Sequence, residues 1–144
     1  MKCIGCFTGL IFGDALCAPY EGGVLERGLW RFIGKTKDGK LRFTDDTQMS
    51  MDVAESLIQK EDVDQDHLAQ TFSRSYDWSR GYGPEAGRIL KSIRNGRNWK
   101  EVNRRKYLDG SFGNGAAMRV APISLYYRNN EALFEKVKGL GVKP

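Results

Sequence analysis

Residues 44–60 read TDDTQMSMDVAESLIQK, and this stretch decides the fold class. Its apolar side chains recur at the spacing of one helical face: Met49, Val53 and Leu57, with Ala54 and Ile58 beside them. Two acids open the stretch, where carboxylates complement the helix dipole. The pattern therefore predicts an amphipathic α-helix that begins at the acidic pair.

The helical period continues downstream. Leu68, Phe72 and Tyr76 indicate another helix, which starts near Asp64 or Asp66. A further helix follows Pro84 and ends at Asn95-Gly96; its inward side chains are Ala86, Ile89, Leu90 and Ile93. We expect a short turn near Trp99 to Arg105, a helix from Ala116 to Tyr127 kinked at Pro122, and a last helix from Asn130 through Val137.

Upstream, the first segment is also helical in pattern. One face carries Cys3, Phe7, Leu10 and Asp14, and a ridge of Gly5, Gly9 and Gly13 would let another helix approach closely. Asp14 continues the inward face near the helix end, where the dipole disfavours a carboxylate. We therefore expect Asp14 to be hydrogen-bonded near a cation or a catalytic group.

Residues Pro19 to Phe43 lack a clear period and predict a long loop with little regular structure. Alternating β patterns are nearly absent. With 144 residues, 40% of them apolar and 28% charged, the chain predicts a single all-α domain over residues 1–144.

The charges are segregated along the chain, although the formal net charge is only +5. From Asp38 to Asp66 there are nine acidic and three basic residues, whereas Arg88 to Lys106 holds eight basic residues and one acid. Such segments suit a metal cation and a polyphosphate, or are two solvated faces. A nucleic-acid binder using Arg88 to Lys106 is the least favoured function.

Three clustered cysteines, Cys3, Cys6 and Cys17, are a poor disulfide framework and favour a reducing compartment. We expect buried core thiols rather than metal ligands. The uncharged run from Cys3 to Gly13 has eleven residues, which is too short to span a bilayer. The sequence thus predicts a cytoplasmic protein without a membrane partner.

Three segments carry candidate chemistry. Thr44, Asp45 and Asp46 offer the hard oxygen ligands that magnesium prefers; alternatively, Asp45 with Gln48 is a helix cap. Glu21, after Pro19, is a candidate water-orienting base or a solvated acid.

The third segment, GSFGNGAAMR at 110–119, is a glycine-rich turn before a helix. Its backbone N–H groups, with Ser111 and Asn114, could cradle a pyrophosphate, while Phe112 could stack on an adenine; the alternative is a tight turn with a core aromatic. Arg80-Gly81-Tyr82-Gly83-Pro84 is a weaker signal of the same kind, for which a plain interhelical turn is favoured.

Taken in order, the motifs GDALxxPxE, TDDT, RGYG and GSFGNGAAMR resemble the ADP-ribosylglycohydrolase family over about Cys3 to Tyr127. The resemblance implies an orthogonal all-α helical bundle with two Mg²⁺ ions in an ADP-ribose cleft. It implies a hydrolase whose partner is ADP-ribose or an ADP-ribosylated protein.

Carried over by position, the resemblance implies metal ligands at Thr44, Asp45 and Asp46 and a catalytic acid at Glu21. It implies a diphosphate loop and further substrate contacts at these positions: Ser111, Gly113, Asn114 and Gly115 for the diphosphate, Phe112 for the adenine, and Gly81, Tyr82, Gly83, Met118 and Arg119. Glu21 would activate the water that attacks the anomeric carbon.

The family pattern is completed by a DxDT-type motif near the C-terminus of a longer chain, and the last aspartate here is Asp109. We therefore expect a truncated domain with an incomplete metal site and weak or absent turnover. Exposed apolar faces predict self-association or low stability. The alternative function is a noncatalytic ADP-ribose-binding module, or an inactive remnant of the enzyme.

Overall fold

A computed structural model describes residues 2–106 and 114–138. The chain forms eight α-helices in these ranges: α1 (Lys2–Cys17), α2 (Val24–Ile33), α3 (Asp45–Lys60), α4 (Gln65–Ser75), α5 (Pro84–Arg94), α6 (Trp99–Lys106), α7 (Val120–Tyr126) and α8 (Leu133–Lys138). Short 3-10 turns lie at Ala18–Tyr20, Trp78–Arg80 and Asn114–Arg119. Within the described ranges the β pairing is one isolated bridge, Lys35 to Leu41, so the predicted all-α class is confirmed.

Helix α3 is the centre of the domain and packs against α4, α7 and the 3-10 turn before α7. The apolar side of α3 joins a buried cluster whose members are Met49, Val53, Leu57, Leu68, Phe72, Tyr82, Leu90, Ile123 and Tyr127. The periodicity of residues 49–57 and 68–72 therefore predicted the core correctly. Ile58 is the exception, because three quarters of it is exposed.

Hydroxyl groups on α3 lock it to its neighbours. The Ser50 hydroxyl donates to the Met118 carbonyl oxygen at 2.7 Å, and the Ser56 hydroxyl lies 2.8 Å from Nδ1 of His67. Both serines are buried, so these contacts satisfy polar groups that would otherwise be costly in the core. They set α3 in one register against α4 and the 3-10 turn at 114–119.

Capping follows the sequence signals with one shift. Thr44 rather than Asp45 caps α3, because the Thr44 hydroxyl accepts the Asp46 N–H at 3.2 Å. The alternative interpretation, in which Asp45 caps the helix together with Gln48, is therefore wrong, because the cap lies one residue earlier. Asp64 caps α4 by accepting the His67 N–H at 2.9 Å, as expected.

The basic side chain of Arg94 closes the C-terminus of α4. Its guanidinium donates to the carbonyl oxygens of Ser73, Arg74 and Tyr76 at 2.7, 3.1 and 2.8 Å. These carbonyl groups have no partner within their own helix, so Arg94 satisfies them from α5. This member of the basic segment 88–106 has a structural role.

Residues 24–33 form a helix where the sequence predicted a loop, and that prediction is wrong. The helix begins with a local hydrogen bond, in which the Gly23 N–H donates to the Glu26 carboxylate at 2.6 Å. Only Trp30 is buried on it; its other large apolar side chains, Val24, Leu25, Leu29 and Phe32, are exposed. Self-association through this face stays a prediction.

Helix α1 differs from expectation on its surface. A Cβ at Gly5, Gly9 or Gly13 would meet no described atom within 4 Å, so no described helix uses the glycine ridge. Cys3 and Cys17 are exposed and Cys6 is half-buried, so the expected core thiols are also wrong. The physical reason is shared: α1 is largely exposed to solvent among the described residues, and Ala15 is its buried residue.

By length and composition, Lys2–Tyr20 is a candidate membrane span, with a mean hydropathy of 1.4. A single such helix near the N-terminus is weak evidence, because a signal sequence has the same length and composition. The C-terminal part is also refined: the helix expected from Ala116 breaks at Arg119 into a 3-10 turn and α7, and Pro122 lies in the first turn of α7 rather than at a kink. Asn130 precedes α8, and its side chain accepts the Ala132 N–H at 2.9 Å.

Candidate active site

Asp14 ties the end of α1 to the start of α3. Its Oδ2 accepts the N–H of Thr44 at 2.9 Å, the N–H of Thr47 at 3.2 Å and the hydroxyl of Thr47 at 2.5 Å. The first N–H groups of a helix lack partners within the helix, and Asp14 supplies one from another element. Asp14 is therefore hydrogen-bonded, as expected, and the cation or catalytic group expected near it stays a prediction.

Asp45 and Asp46 occupy the first two positions of α3, and both are half-buried. No lysine or arginine among the described residues forms an ion pair with either of them. Burial raises the pKa of Asp45 to about 7, and the neighbouring Asp46, Asp14 and Glu21 add to the rise. The site therefore concentrates negative charge that no described cation balances at short range.

The pKa of Asp46 is raised as well, first by burial and then by Asp14 and Glu21. Glu21 lies in the exposed segment just after the 3-10 turn that follows α1. The charge of Glu21 acts on both aspartates, and the catalytic role of Glu21 stays a prediction. Asp14 binds the backbone on either side of the acidic pair at the N-terminus of α3, and Glu21 lies within electrostatic range of the pair.

The RGYG motif at 80–83 lies beside Asp45 through Gly81. A Cβ on Gly81 would lie 3.9 Å from Oδ1 of Asp45 and 3.7 Å from the ring of Trp30. Gly81 also has a φ of 85°, a left-handed conformation that glycine adopts without strain. Tyr82 is buried and packs edge-on against Tyr76 with ring centroids 4.9 Å apart, whereas Gly83 precedes α5 and is exposed.

Arg119 approaches the acidic pair from the 3-10 turn before α7. Burial lowers the pKa of Arg119, and the carboxylate of Asp45 partly offsets this effect. The guanidinium lies 5.2 Å from the centroid of the Phe72 ring, and its buried Nε has no hydrogen-bond partner among the described residues. A buried unpaired N–H is costly, so this donor is available to an acceptor from a ligand.

The phosphate-binding segment is only partly described. Ser111, Phe112 and Gly113 lie outside the described residues. Asn114 begins the 3-10 turn. A Cβ at Gly115 would lie 3.7 Å from the Arg119 guanidinium. The Met118 carbonyl oxygen accepts a hydrogen bond from α3. The charge of Asp45 acts on Arg119, the last residue of this motif, and the diphosphate-binding role of the motif stays a prediction.

The oxygen donors of the TDDT segment are of the type that magnesium prefers, but they are few. Carboxylate and hydroxyl oxygens are hard ligands, and Mg²⁺ is usually held by one or two carboxylates together with water and phosphate. Thr44, Asp45 and Asp46 provide such donors. Among residues 2–106 and 114–138, however, no group of three or more His, Cys, Asp or Glu side chains could hold a metal ion.

Sequence reasoning missed the roles of two residues near the acidic pair, although Arg80 belongs to a motif that it had singled out. Arg80 donates to the Phe43 carbonyl oxygen at 2.9 Å and stacks 3.8 Å above the Phe43 ring, which fixes the chain just before Thr44. Trp30 packs beside Gly81 from a helix that was predicted to be a loop. Leu25, Leu29 and Phe32 recur at i, i+4 and i+7 among charged residues, and this helical spacing was the signal that could have predicted α2.

One protein family and several known proteins are similar to this chain. The family model described as ADP-ribosylglycohydrolase matches residues 1–141. The chain is similar to "ADP-ribosylhydrolase ARH3" of Danio rerio, at 33% identity over 87% of this chain and 37% of that protein, and to that of Homo sapiens, at 34% over 85% and 39%. It is also similar to "ADP-ribosyl-[dinitrogen reductase] glycohydrolase" of Rhodospirillum rubrum, at 31% over 86% and 44%.

The chain spans less than half the length of each of these relatives. The match covers all four motifs and the helices that bring three of them together at the start of α3. This chain therefore belongs to the ADP-ribosylglycohydrolase family.

Proposed function

We propose that this chain carries the acidic part of an ADP-ribosylhydrolase active site, which cleaves the ribosyl bond of an ADP-ribosylated protein or a related conjugate. The observation that carries the proposal is the junction at the N-terminus of α3, where Asp14 holds the backbone of Thr44 and Thr47 on either side of the acidic pair and Gly81 lies beside Asp45. The charge of Glu21 also acts on Asp45, and the charge of Asp45 acts on Arg119. Family membership supports the reaction class.

In this proposal Thr44, Asp45 and Asp46 hold magnesium. The unbalanced charge of the acidic pair and its raised pKa values support a cation there, because a divalent ion would offset the repulsion between carboxylates. When bound, the metal would fix the ribose hydroxyls and supply positive charge to a nearby water. Asp14 is a positioning residue, since it holds the backbone of Thr44 and Thr47 in place.

Glu21 acts as the base. Hydrolysis at the anomeric carbon develops oxocarbenium character, and the attacking water must lose a proton as the bond to the target breaks. Glu21 is exposed and lies within electrostatic range of the acidic pair, which supports its carboxylate as the acceptor of that proton. Its negative charge also favours the cationic transition state.

The glycine-rich segments bind the rest of the substrate. We assign substrate contacts to Gly81, Tyr82 and Gly83, of which Gly81 lies beside Asp45, and the unpaired N–H of Arg119 donates to an oxygen of ADP-ribose. Residues Ser111, Gly113, Asn114 and Gly115 receive the diphosphate, Phe112 stacks on the adenine, and Met118 contacts the ligand. This part of the proposal follows from the family motif.

A noncatalytic ADP-ribose-binding module is the second candidate. The lack of a group of three metal-ligating side chains in the described ranges favours it, since a binding module needs no complete metal site. Calorimetric titration of the chain with ADP-ribose, with and without Mg²⁺, separates the two functions.

Magnesium-dependent binding together with ADP-ribose release from a modified protein supports the hydrolase. Glu21→Gln should abolish release and retain binding, whereas Glu131→Gln, an exposed carboxylate on the segment before α8, should change neither. Binding that ignores Mg²⁺ and Asp45→Asn, with no release, would identify the binding module instead.

A further inference from the structure

A basic pocket lies next to the acidic pair, Asp45 and Asp46. It has a volume of about 400 Å³ and is enclosed by the segment after α2 and the 3-10 turn before α5. Its lining residues are Lys35, Thr36, Lys37, Leu41, Arg42, Phe43 and Arg80. Four of these seven side chains are cationic and none is acidic.

The segment that carries Lys35 and Lys37 is an ordered hairpin. Thr36 N–H donates to the Lys40 carbonyl oxygen at 2.8 Å, and Lys40 N–H donates to the Thr36 hydroxyl at 3.1 Å. Arg42 N–H then closes the base of the hairpin by donating to the Gly34 carbonyl oxygen at 2.9 Å. The two lysines therefore project from a defined turn, which limits the entropy lost when they bind a ligand.

The guanidinium groups of Arg42 and Arg80 are held in place by hydrogen bonds and retain N–H donors that these bonds do not use. Arg42 donates to the Ser79 hydroxyl at 2.8 Å and to the Ile33 carbonyl oxygen at 3.3 Å. Arg80 donates once, to Phe43, and its plane is fixed over the Phe43 ring. A guanidinium has five N–H donors, so both arginines have donors left for a ligand.

No carboxylate among the described residues forms an ion pair with any of the four cations. Asp77 interacts electrostatically with Arg42 and Arg80, but one of its oxygens accepts from Ser79; Asp14 also acts on Arg80. The pKa of Arg80 is lowered by burial and by the proximity of Arg42, which shows that the two cations repel each other. An anion in the pocket would relieve this repulsion.

We propose that this basic pocket binds a phosphate group. Four cations favour a multiply charged anion, and two pre-oriented guanidinium groups match the oxygens of phosphate in geometry. The Thr36 hydroxyl adds a neutral donor. This site is distinct from the glycine-rich diphosphate segment at 110–115 and does not depend on the proposed hydrolase activity.

The pocket shares two chain segments with the acidic site. Phe43 directly precedes Thr44, and Arg80 directly precedes Gly81, which lies beside Asp45. The phosphate could therefore belong to a nucleotide that also reaches the acidic site, or it could be free phosphate. Both sources present the same oxyanion chemistry to the pocket.

Inorganic phosphate is the probe that tests the site. Titrated into the full chain at low ionic strength, it should shift the backbone ¹⁵N–¹H signals of residues 34–42 and 79–81. Lys35→Glu/Lys37→Glu should weaken phosphate binding at least about tenfold, because two attractive charges become repulsive. Neither lysine has a hydrogen bond or ion pair through its side chain, so the double variant should keep the fold.

The control is Lys60→Glu/Arg128→Glu, which changes the net charge equally at exposed positions outside the pocket. It should keep phosphate affinity within about twofold of the parent chain. Equal losses in both double variants, or phosphate shifts confined to other segments, would overturn the proposal, as would the absence of any shift.

A competition with ADP-ribose then distinguishes the sources. Displacement of phosphate from residues 34–42 by ADP-ribose identifies a nucleotide phosphate as the ligand. Retention of the phosphate-induced shifts while ADP-ribose binds elsewhere identifies free phosphate. ADP-ribose that fails to bind at all leaves the phosphate result intact, so failure of the proposed function is separable from failure of this site.

Discussion

The hydroxyl of Thr47 on α3 donates to the carboxylate of Asp14 on α1 at 2.5 Å. The same carboxylate oxygen accepts the N–H groups of Thr44 and Thr47, so one side chain satisfies three donors at the start of α3. Asp14 thus positions the backbone that carries the candidate metal ligands.

Replacing this carboxylate should loosen the α1–α3 junction. We expect Asp14→Ala to lower the free energy of unfolding by roughly 2–4 kcal/mol, since hydrogen bonds to a charged group are lost together and not additively. Urea denaturation followed by circular dichroism measures the change. Asp38→Ala, an exposed carboxylate at the hairpin tip, is the control and should be near neutral. Similar stability of Asp14→Ala and the parent chain would contradict the anchoring role.

Asp45 should make stability depend on pH in metal-free buffer. Because its folded pKa is raised from 3.8 to about 7, the folded state retains a proton that the unfolded state has lost. Its contribution is therefore fully present below pH 3.8 and is lost as the pH rises toward 7. Asp45→Asn lacks this loss, so its stability relative to the parent should increase between pH 4 and pH 8. Urea titrations at several pH values test this, with Asp38→Asn as control; a pH-independent difference would count against it.

Two glycines should respond to alanine in opposite directions. A Cβ at Gly34 would lie 2.5 Å from the Trp30 carbonyl oxygen and 2.8 Å from its Nε1, so backbone must move. We expect Gly34→Ala to cost roughly 1–3 kcal/mol. Gly9→Ala meets open space within α1 and should gain up to about 1 kcal/mol through helix propensity. Thermal melting of both variants compares them directly, and a neutral Gly34→Ala would argue against the close approach of Trp30.

Asp62 should hold α8 against the α3–α4 connection above acidic pH. It accepts from Lys136 Nζ at 2.7 Å and from the Tyr127 hydroxyl at 2.6 Å, and these bonds lower the pKa of Asp62 from 3.8 to about 2. The stabilisation is present above pH 3.8 and is lost as the pH falls toward 2. The pair is solvent-exposed and screened, so Asp62→Asn should cost only about 0.2–1 kcal/mol at pH 7.

Melting temperatures of Asp62→Asn and the parent chain should therefore converge near pH 2. They should also converge at neutral pH when the salt concentration is raised, because screening weakens an exposed ion pair. Glu131→Gln serves as the control for removing an exposed acid nearby. A difference that is the same at pH 7 and pH 2 would show that Asp62 stabilises α8 by some means other than its charge.

Sequence periodicity predicted α3, α4 and α5 well because each helix buries one continuous apolar face, which is a local property of residue spacing. The helical spacing of Leu25, Leu29 and Phe32 was present in α2 but was not recognised among the charged and glycine residues around it. These side chains are exposed, and the segment is held by Trp30 and local capping. The glycine ridge of α1 failed for a different reason: spacing permits a close helix contact but does not supply the partner.

The sequence by itself determined the all-α class, the main helices and the identity of the acidic motif, since residue types and their spacing set helix faces and ligand chemistry. Only the tertiary structure decided which side chains meet. Asp14 reaches Thr47 across 33 positions, and Arg42 reaches Ser79 across 37. Such contacts depend on how helices pack and how the chain returns between them, and no local pattern encodes that distance.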